Sequence, residues 1–303
     1  GGFRALTHDL KSILTEIGYK LHDRGKEYRS RAIYRDSDND TVLSIKKDTG
    51  RWIDFKEQRF GTLEELIKIT LNLKDISEAR QYLNREFNYQ PAKVEKETLK
   101  TPTTFSSKNL DFIMPEYKYW NDRGVSTPTL KSFQSGTMKS GKMEGRYVFP
   151  IFDRDDKIVG MAGRALDNEK KPKWKLVGEK KLWAYPLKLN LPILQKEKKI
   201  ILVESIGDML ALWEAGIKNT IVTFGLKVTA KIKQMLIAIR PNTIHIAFNN
   251  DANRAGNEGA NKAYAELSKH FDTEQLFISL PTHNDFGEMS RNDILLWKSQ
   301  NSL

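Results

Sequence analysis

The C-terminal third of the chain alternates short apolar runs with helical segments, and this rhythm constrains the fold more than any other feature. From residue 198 the apolar runs are KKIILVES, NTIVTFG, TIHIAFNND and EQLFISL. Between them lie GDMLALWEAG, TAKIKQMLIAI and AGNEGANKAYAELSKHF, which have apolar residues at helical spacing. Parallel strands need crossover connections, which are usually helices. The alternation therefore predicts an α/β domain with a doubly wound parallel sheet.

Acidic and amide side chains stand where three strands of this predicted sheet end. Glu204 lies at the end of the predicted strand in IILVES, and Asp208 lies one helical turn beyond it, so both side chains can face the same way. Asn249 and Asp251 follow the run IHIAF, and Asp285 comes after the last strand. Ligands of such sheets bind beyond the carboxyl ends of the strands. The pattern predicts that these five oxygen-bearing side chains converge at one edge and bind Mg²⁺ or Mn²⁺.

Each of these positions also has an ordinary structural explanation. A glutamate after a strand is common at the start of a helix, where the helix dipole favours a negative charge. The letters NND are a frequent turn composition. The metal interpretation depends on three strand ends carrying such residues together, rather than on any one of them.

The charge balance favours a polyanionic partner. Across 303 residues the formal net charge is +11, and the pI is about 9.5. Such a surplus of Lys and Arg attracts phosphate backbones, although a soluble basic protein or a charged linker would show it too. The chain has no cysteine, which excludes disulfides and cysteine-bound zinc or iron–sulfur clusters. Because no apolar run reaches about 18 residues and no signal peptide is evident, the expectation is a cytoplasmic protein without membrane association.

The sequence predicts four segments. Residues 1–89 combine an amphipathic opening, alternating strands around the turns SDND and DTG, and two helices. Residues 90–108 are polar and rich in Lys, Thr and Pro, which predicts an extended linker. Residues 109–196 combine helices with a hairpin around the turn DRDD. The doubly wound domain then covers residues 197–303.

The order of motifs in the second half of the chain resembles that of DnaG-type primases, whose catalytic unit is a TOPRIM domain. VESIGD, then AFNND, then NDFGEM are similar to the strand-end Glu and the Asp-x-Asp of TOPRIM domains. Upstream, WNDRGVS, GRYVFPIF, GMAGRAL, PKWKL and KKLWAYPL follow in the order of the primase core. The resemblance covers roughly residues 110 to 295 and is closer to the single-chain primases of bacteriophages than to the full bacterial enzyme. It implies a TOPRIM doubly wound sheet preceded by a mixed α+β subdomain.

This resemblance implies a DNA primase that synthesises short RNA primers on single-stranded DNA from ribonucleoside triphosphates, assisted by two or more Mg²⁺ or Mn²⁺ ions. Glu204 and Asp251 would be the catalytic acids. The implied metal ligands are Glu204, Asp208, Asn249, Asp251 and Asp285. Asn249 departs from the family, which has an aspartate there, so its neutral amide predicts weaker metal binding, and the spacing of the following ANRAG is longer than usual. A replicative helicase is a further candidate partner.

Basic residues in the upstream motifs are expected to lead nucleic acid and triphosphate toward the acids. The resemblance assigns Arg146 and Arg164 to a basic groove. It assigns four lysines to the phosphates of the incoming nucleotide: Lys173, Lys175, Lys180 and Lys181. Ordinary surface charge explains the lysines equally well. Trp174 is either a base-stacking residue or part of the core.

The N-terminal segment resembles the zinc ribbon of these primases without its cysteines, so zinc is not expected. Apolar packing would then have to hold the segment, through Ile33, Val42, Ile45, Trp52, Ile53 and Phe55. Five basic residues would still allow contact with the template: Arg29, Arg31, Lys46, Lys47 and Arg51. A purely structural accessory domain is the alternative. Thr62 and Glu65 predict a capping box at the first helix after the strands.

Two other functions use the same features. A TOPRIM nuclease would cut phosphodiesters with the same acids, but the RGVS, FPI and GR motifs favour a primase. A catalytically weakened DNA-binding replication factor would explain Asn249 and the missing zinc. The four acids that the chain keeps argue against this last alternative. In every case the expected location is the cytoplasm of a bacterial or phage-infected cell.

Overall fold

The structure is a computed structural model and describes residues 10–87 and 99–303. It divides into two compact units. Of the described residues, the first unit comprises 10–87 together with Ala265–Leu276, and the second comprises 99–264 together with Phe277–Leu303. The domain boundaries predicted from the sequence do not coincide with this division and stay predictions. No helix within the described ranges is long and apolar enough to cross a lipid bilayer.

The first unit is built on a five-stranded antiparallel sheet in which each strand pairs with the next one along the chain. The strands are β1 (His22–Arg24), β2 (Glu27–Ser30), β3 (Leu43–Lys46), β4 (Trp52–Asp54) and β5 (Arg59–Gly61). The helices are α1 (residues 10–16), α2 (Leu63–Leu71) and α3 (Ile76–Phe87). Apolar residues from both sheet and helices form one buried core, including Leu14, Ile45, Trp52, Leu66 and Leu83. The predicted small α+β unit is confirmed.

The core of this unit differs from the prediction at three of the six expected positions. The three that are buried are Val42, Ile45 and Trp52. Ile33 lies beyond the end of β2 and is 41% exposed, and Phe55 follows β4 and is 50% exposed. Ile53 is only partly buried. Alternate residues of a strand face opposite sides, and β4 turns Trp52 and Asp54 inward instead.

A buried carboxylate ties the segment after β2 to β4. Oδ2 of the fully buried Asp54 accepts hydrogen bonds from the hydroxyl of Tyr34 at 2.5 Å and from Nε of Arg35 at 2.8 Å. Oδ1 accepts from Nη2 of Arg35 at 2.9 Å and from the N–H of Lys56 at 3.0 Å. Burial alone would raise the pKa of Asp54, but the bonds from Arg35 and Tyr34 outweigh it and lower the pKa to about 2. This polar cluster supports the fold of a unit that has no cysteine.

Glu65 does not complete the predicted capping box. Its N–H donates to Oγ1 of Thr62 at 3.4 Å, as expected of a helix N-cap. Its carboxylate, however, accepts from the N–H of Thr273 at 2.8 Å. Arg51 likewise donates to the carbonyl of Ala265 at 3.0 Å. The C-terminal segment of the unit thus engages both side chains, so the second half of the capping box is wrong and Arg51 is not free for a template.

The second unit begins with an antiparallel sheet in the order β6-β7-β8-β9. Its strands are β6 (Gly136–Met138), β7 (Arg146–Phe152), β8 (Ile158–Ala165) and β9 (Trp174–Gly178). Helices α4 (Lys118–Asn121) and α5 (Thr127–Ser132) precede the sheet, and α6 (Leu187–Glu197) follows it. The hairpin predicted around DRDD is formed by β7 and β8. Of the predicted linker, residues 90–98 lie outside the described residues, and Phe105 pairs with β8 at Ile158.

A four-stranded sheet in the order β11-β10-β12-β13 forms the rest of the unit. Its strands are β10 (Lys199–Val203), β11 (Thr220–Val222), β12 (Thr243–Ile246) and β13 (Leu276–Ile278). β10 pairs in parallel with both β11 and β12. Helices α7 (Ile206–Glu214), α8 (Ala230–Ile239) and α9 (Ala255–Leu267) follow these three strands, and α10 (Arg291–Gln300) follows β13. The predicted α/β fold with a parallel sheet is confirmed.

One core joins the two sheets of the second unit. Trp120 and Phe149 come from the antiparallel part, and Val203 and Leu210 come from β10 and α7. All four belong to the same cluster of buried apolar residues. The antiparallel sheet is therefore packed as one body with the strands whose ends carry the predicted acids.

Candidate active site

Glu204 lies directly after β10 and is half-buried. Its Oε1 accepts a hydrogen bond of 2.7 Å from the backbone N–H of Asn249, which follows β12. Burial raises the pKa of Glu204, the bond from Asn249 opposes that rise, and the negative charges of Asp251 and Asp285 add to it. The three carboxylates from three strand ends therefore share one electrostatic environment. The effect of Asp251 and Asp285 on the pKa of Glu204 agrees with the prediction that these side chains converge at one sheet edge.

Asp208 belongs to the same edge but is fully engaged by the protein. It is 2% exposed in α7, where its Oδ2 accepts from the hydroxyl of Ser205 at 2.9 Å. Its Oδ1 accepts from the N–H of Phe286 at 3.0 Å. Burial is the main cause that raises its pKa to about 7. With both oxygens used, Asp208 fits a role in holding the turn at Phe286, and its predicted role as a metal ligand stays a prediction.

The loop after β12 is fixed by close packing of helix α9. A Cβ on Gly256 would lie 1.9 Å from the carbonyl oxygen of Asn249, so only glycine allows this approach. Oδ1 of Asn249 is buried and has no hydrogen-bond partner within residues 10–87 and 99–303. Asp251 is half-buried, and its carboxylate forms no ion pair with any described residue. Oδ1 of Asn249 is thus without a hydrogen-bond partner, and the carboxylate of Asp251 without an ion pair, among the residues that the structure describes.

Asp285 is the N-cap of a short 3₁₀ turn, Phe286–Glu288. Its Oδ1 accepts from the N–H of Glu288 at 2.9 Å. Burial raises the pKa of Asp285, and the charges of Glu288 and Asp251 raise it further, whereas the charge of Lys173 lowers it. The charge of Lys173, which directly precedes β9, therefore stabilises the ionised form of Asp285 at the sheet edge that carries Glu204, Asp251 and Asp285, called the acidic edge below.

The acids do not form a complete protein cage for a cation. Within residues 10–87 and 99–303, no three His, Asp or Glu side chains are grouped so that they could hold a metal ion by themselves. Mg²⁺, however, is usually held by one or two carboxylates together with water and substrate phosphates. The unpaired carboxylate of Asp251 and the unpartnered Oδ1 of Asn249 are hard oxygen donors that fit such a partial site.

Arg146 does not line an open groove. It is 2% exposed, and its Nη1 donates to the carbonyl of Gly163 at 3.1 Å and to that of Lys173 at 3.5 Å. Burial lowers its pKa, and the neighbouring charge of Arg164 acts in the same direction. The expectation of a solvent-facing groove residue is corrected by this burial, which favours a structural role in holding β8 and the segment before β9.

Arg164 is half-buried and belongs to a cationic cluster that the sequence did not reveal. Its guanidinium lies 5.4 Å from the ring centroid of Tyr119, and that of Arg123 lies 3.6 Å from the same ring. Neither guanidinium forms an ion pair with a carboxylate of the described residues. Two unpaired guanidiniums beside one aromatic ring suit a phosphate-bearing ligand. Arg123 stands in the motif WNDRGVS, and this motif could have indicated from the sequence that Arg123 belongs to a functional region.

Two of the four predicted lysines lie near the acidic edge. Lys173 is exposed and acts on Asp285, as described above. Nζ of Lys180 donates to the carbonyl of Phe224 at 3.0 Å, in the loop after β11. The next residue of that loop, Gly225, donates its N–H to the carbonyl of Glu204 at 3.2 Å. The antiparallel part thus supplies positive charge at the strand ends.

The other predicted residues of this region are engaged elsewhere. Nζ of Lys175 donates to the carbonyl of Lys142 at 2.8 Å. Lys181 is exposed and lies 3.9 Å from a carboxylate oxygen of Glu179. The ring of Trp174 lies 6.3 Å from those of both Trp120 and Phe149 and packs against the core. The structure therefore favours the core interpretation of Trp174, and no contact with the acids is evident for either lysine.

Comparison with known proteins adds independent evidence. Residues 201–290 match a family model described as Toprim-like. A DNA primase of Legionella pneumophila is 31% identical over 164 residues, which cover 50% of this chain and 28% of that protein. This chain therefore spans less than a third of that relative's length. The matched segment contains Glu204, Asp208, Asn249, Asp251 and Asp285.

Solved structures of primases share the fold. The Aquifex aeolicus primase, comprising zinc-binding and RNA polymerase domains, aligns with a TM-score of 0.55 at 17% identity, covering 99% of this chain and 85% of that chain. A DnaG primase catalytic domain bound to single-stranded DNA aligns with a TM-score of 0.55 at 21% identity, covering 64% of this chain and 76% of that one. The predicted resemblance to DnaG-type TOPRIM primases is confirmed by these matches.

Proposed function

We propose that this chain, which shares the fold of DnaG-type primase cores, synthesises short RNA primers on single-stranded DNA from ribonucleoside triphosphates. The observation that supports the proposal most is at Glu204, which accepts a hydrogen bond of 2.7 Å from the N–H of Asn249 after the neighbouring strand and whose pKa is raised by burial and by the charges of Asp251 and Asp285, from two other strand ends. A Toprim-like match over the same residues and primase relatives support the same reaction class.

The reaction joins the 3′-hydroxyl of the growing primer to the α-phosphate of the incoming nucleotide and releases pyrophosphate. Divalent cations, when bound, would lower the pKa of the attacking hydroxyl and neutralise charge on the phosphoryl and leaving oxygens. Asp251 and Asn249, whose side-chain oxygens lack a partner among the described residues, are the proposed contacts to such ions, together with Asp285, whose pKa the charge of Asp251 raises. Glu204, whose pKa is raised by burial, is the proposed acceptor of the hydroxyl proton.

Positive charge near the acids would bind the triphosphate and template. Lys173, whose charge lowers the pKa of Asp285, and Lys180, which donates to the carbonyl of Phe224 in the loop after β11, are the proposed contacts to nucleotide phosphates. Arg123 and Arg164 are the proposed contacts to the template backbone, because both guanidiniums lie beside the ring of Tyr119 and neither forms an ion pair with a described carboxylate. Asp208 is proposed to position the turn that carries Asp285, through its bond to the N–H of Phe286.

The proposal is tested with the purified chain, a single-stranded DNA template, labelled ribonucleoside triphosphates, and Mg²⁺ or Mn²⁺. The expected product is short RNA that depends on the template and is destroyed by alkali. Cleaved template without new RNA would indicate the TOPRIM nuclease. DNA binding with neither product would indicate the non-catalytic replication factor.

A further inference from the structure

Asn250 stands between the two residues that carry free oxygens, and it bridges three elements. Its N–H donates to the carbonyl of Asn284 at 2.7 Å. Its Nδ2 donates to the carbonyl of Pro281 at 3.2 Å, and its Oδ1 accepts from Nδ2 of Asn257 in α9 at 3.4 Å. One exposed side chain thus joins the loop after β12, the loop after β13 and helix α9.

The segment that Asn250 contacts carries Asp285 at its end. On its other side the same segment is held by Asp208, whose Oδ1 accepts from the N–H of Phe286 at 3.0 Å. Asp285 therefore lies between two anchors, one on α7 and one on the loop of Asp251. The anchor at Asn250 is the one that couples the two acids, because it is the immediate neighbour of Asp251 along the chain.

The chemistry of this position requires an amide. A side-chain amide donates through nitrogen and accepts through oxygen, and Asn250 uses both. An aspartate could accept from Asn257 but could not donate to the carbonyl of Pro281, and it would place a carboxylate against that carbonyl oxygen. It would also add negative charge beside Glu204, Asp251 and Asp285.

We propose that Asn250 is a positioning residue that fixes the carboxylates of Asp251 and Asp285 relative to each other through its bonds to the segment at Pro281 and Asn284. The inference rests on the proposed function, because these acids are its proposed cation contacts. The side chain of Asn250 is exposed, so it contributes little to the core and its loss should leave the fold intact.

The test compares Asn250→Ala with the wild-type chain, using Mn²⁺ binding followed by electron paramagnetic resonance and the kcat and KM of primer synthesis. Asn250→Ala removes the bonds to the carbonyl of Pro281 and from Asn257 and keeps the main-chain bond to Asn284, so Mn²⁺ binding is expected to weaken about tenfold. The kcat should fall by a similar factor, while KM for the template and the melting temperature stay within experimental error. Asn250→Asp should weaken Mn²⁺ binding less than Asn250→Ala, because it adds charge, yet lower kcat at least as much.

Asn109→Ala is the matched control, because Nδ2 of Asn109 also donates to a carbonyl, that of Ser106 at 2.8 Å, and its 3₁₀ helix, Ser107–Phe112, carries none of the proposed site residues. It should change neither Mn²⁺ binding nor kcat. Wild-type Mn²⁺ affinity in Asn250→Ala would overturn the inference. If the wild-type chain makes no primers, the proposed function is overturned. If Asn250→Ala nevertheless binds Mn²⁺ more weakly than the wild-type chain, the positioning role is upheld, so the two failures are distinguishable.

Discussion

The backbone N–H of Asn249 donates to Oε1 of Glu204 over 2.7 Å, and this bond joins the loops that follow the neighbouring parallel strands β10 and β12. Because the donor belongs to the main chain, it does not depend on which side chain occupies position 249. The amide at this position therefore leaves the alignment of Glu204 intact and changes only the charge that the loop contributes.

Asn249→Asp is expected to bind Mn²⁺ several-fold more tightly than the wild-type chain. The buried Oδ1 of Asn249 has no hydrogen-bond partner in the part of the chain that the structure describes, and a carboxylate there would add a charged ligand close to Asp251 along the chain. Titration of Mn²⁺ followed by electron paramagnetic resonance measures the affinity. Asn253→Asp adds the same charge to the exposed part of the loop and is the control. Equal or weaker binding in Asn249→Asp would remove position 249 from the proposed site.

Asp208 should behave as a positioning residue when it is replaced. Asp208→Asn keeps an oxygen that can accept from the N–H of Phe286, so it should retain the Mn²⁺ affinity within about threefold. Asp208→Ala leaves that buried N–H and the hydroxyl of Ser205 without their acceptor, which should cost about 2–4 kcal/mol of the free energy of unfolding. Denaturant unfolding and Mn²⁺ titration measure the two effects. Loss of Mn²⁺ binding in a stably folded Asp208→Asn would instead restore its role as a direct ligand.

The stability of the first unit should depend on pH through Glu65. Burial raises the pKa of this carboxyl from 4.5 to about 7 in the folded chain. Between these values the folded state binds more protons than the unfolded state, so stability falls as the pH rises from about 4.5 to 7. Glu65→Gln stays neutral and can still accept from Thr273, so it should be more stable than wild type at pH 8, by up to about 3 kcal/mol, and equal to it near pH 4.5.

Thermal unfolding across this pH range, with Glu64→Gln on the same helix as the control for the substitution, measures the effect. A stability difference between Glu65→Gln and wild type that is the same at pH 4.5 and pH 8 would show that the carboxyl does not titrate in this window.

Chelation of metal ions should leave the stability of the first unit unchanged, whereas replacement of Asp54 should lower it. The chain offers no cysteine for zinc, and the carboxylate of Asp54 holds Tyr34 and Arg35 by three hydrogen bonds. Asp54→Ala would leave the cation of Arg35 without its buried partner and should cost about 3–5 kcal/mol. Thermal unfolding with and without EDTA measures both. A fall in melting temperature with EDTA, reversed by Zn²⁺, would contradict the metal-free account of this unit.

The sequence predicted the parallel sheet because periodicity is local: β10, β11, β12 and the helices between them each show their own apolar pattern. The coupling of Glu204, Asp251 and Asp285 was also accessible, because carboxyl ends of parallel strands meet at one edge. The hydrogen-bond partners of Asp208 and Arg146 could not be predicted from the sequence. Burial of a charged side chain depends on donors and acceptors from distant segments, such as the N–H of Phe286 and the carbonyl of Gly163.

The first unit shows the same limit at residue level. Alternation along β4 could have placed Asp54 inward beside Trp52, but a charged residue is rarely assigned to a core without its partners in view. Those partners, Tyr34 and Arg35, lie in a segment without regular structure. For Glu65, a sequence pattern predicted a local bond, and a donor more than two hundred residues away took its place.

The central claim is that acids from separate strand ends act together on nucleotide phosphates, and primer synthesis by Glu204→Gln tests it most directly. Glu116→Gln is the matched control, because Glu116 is an acid of the same unit whose carboxylate pairs with Lys139 and accepts from the hydroxyl of Thr137. The account predicts that Glu204→Gln loses at least about a hundredfold in RNA product while its affinity for single-stranded DNA and its melting temperature stay unchanged, and that Glu116→Gln matches the wild-type chain. Wild-type levels of primer from Glu204→Gln would contradict the account.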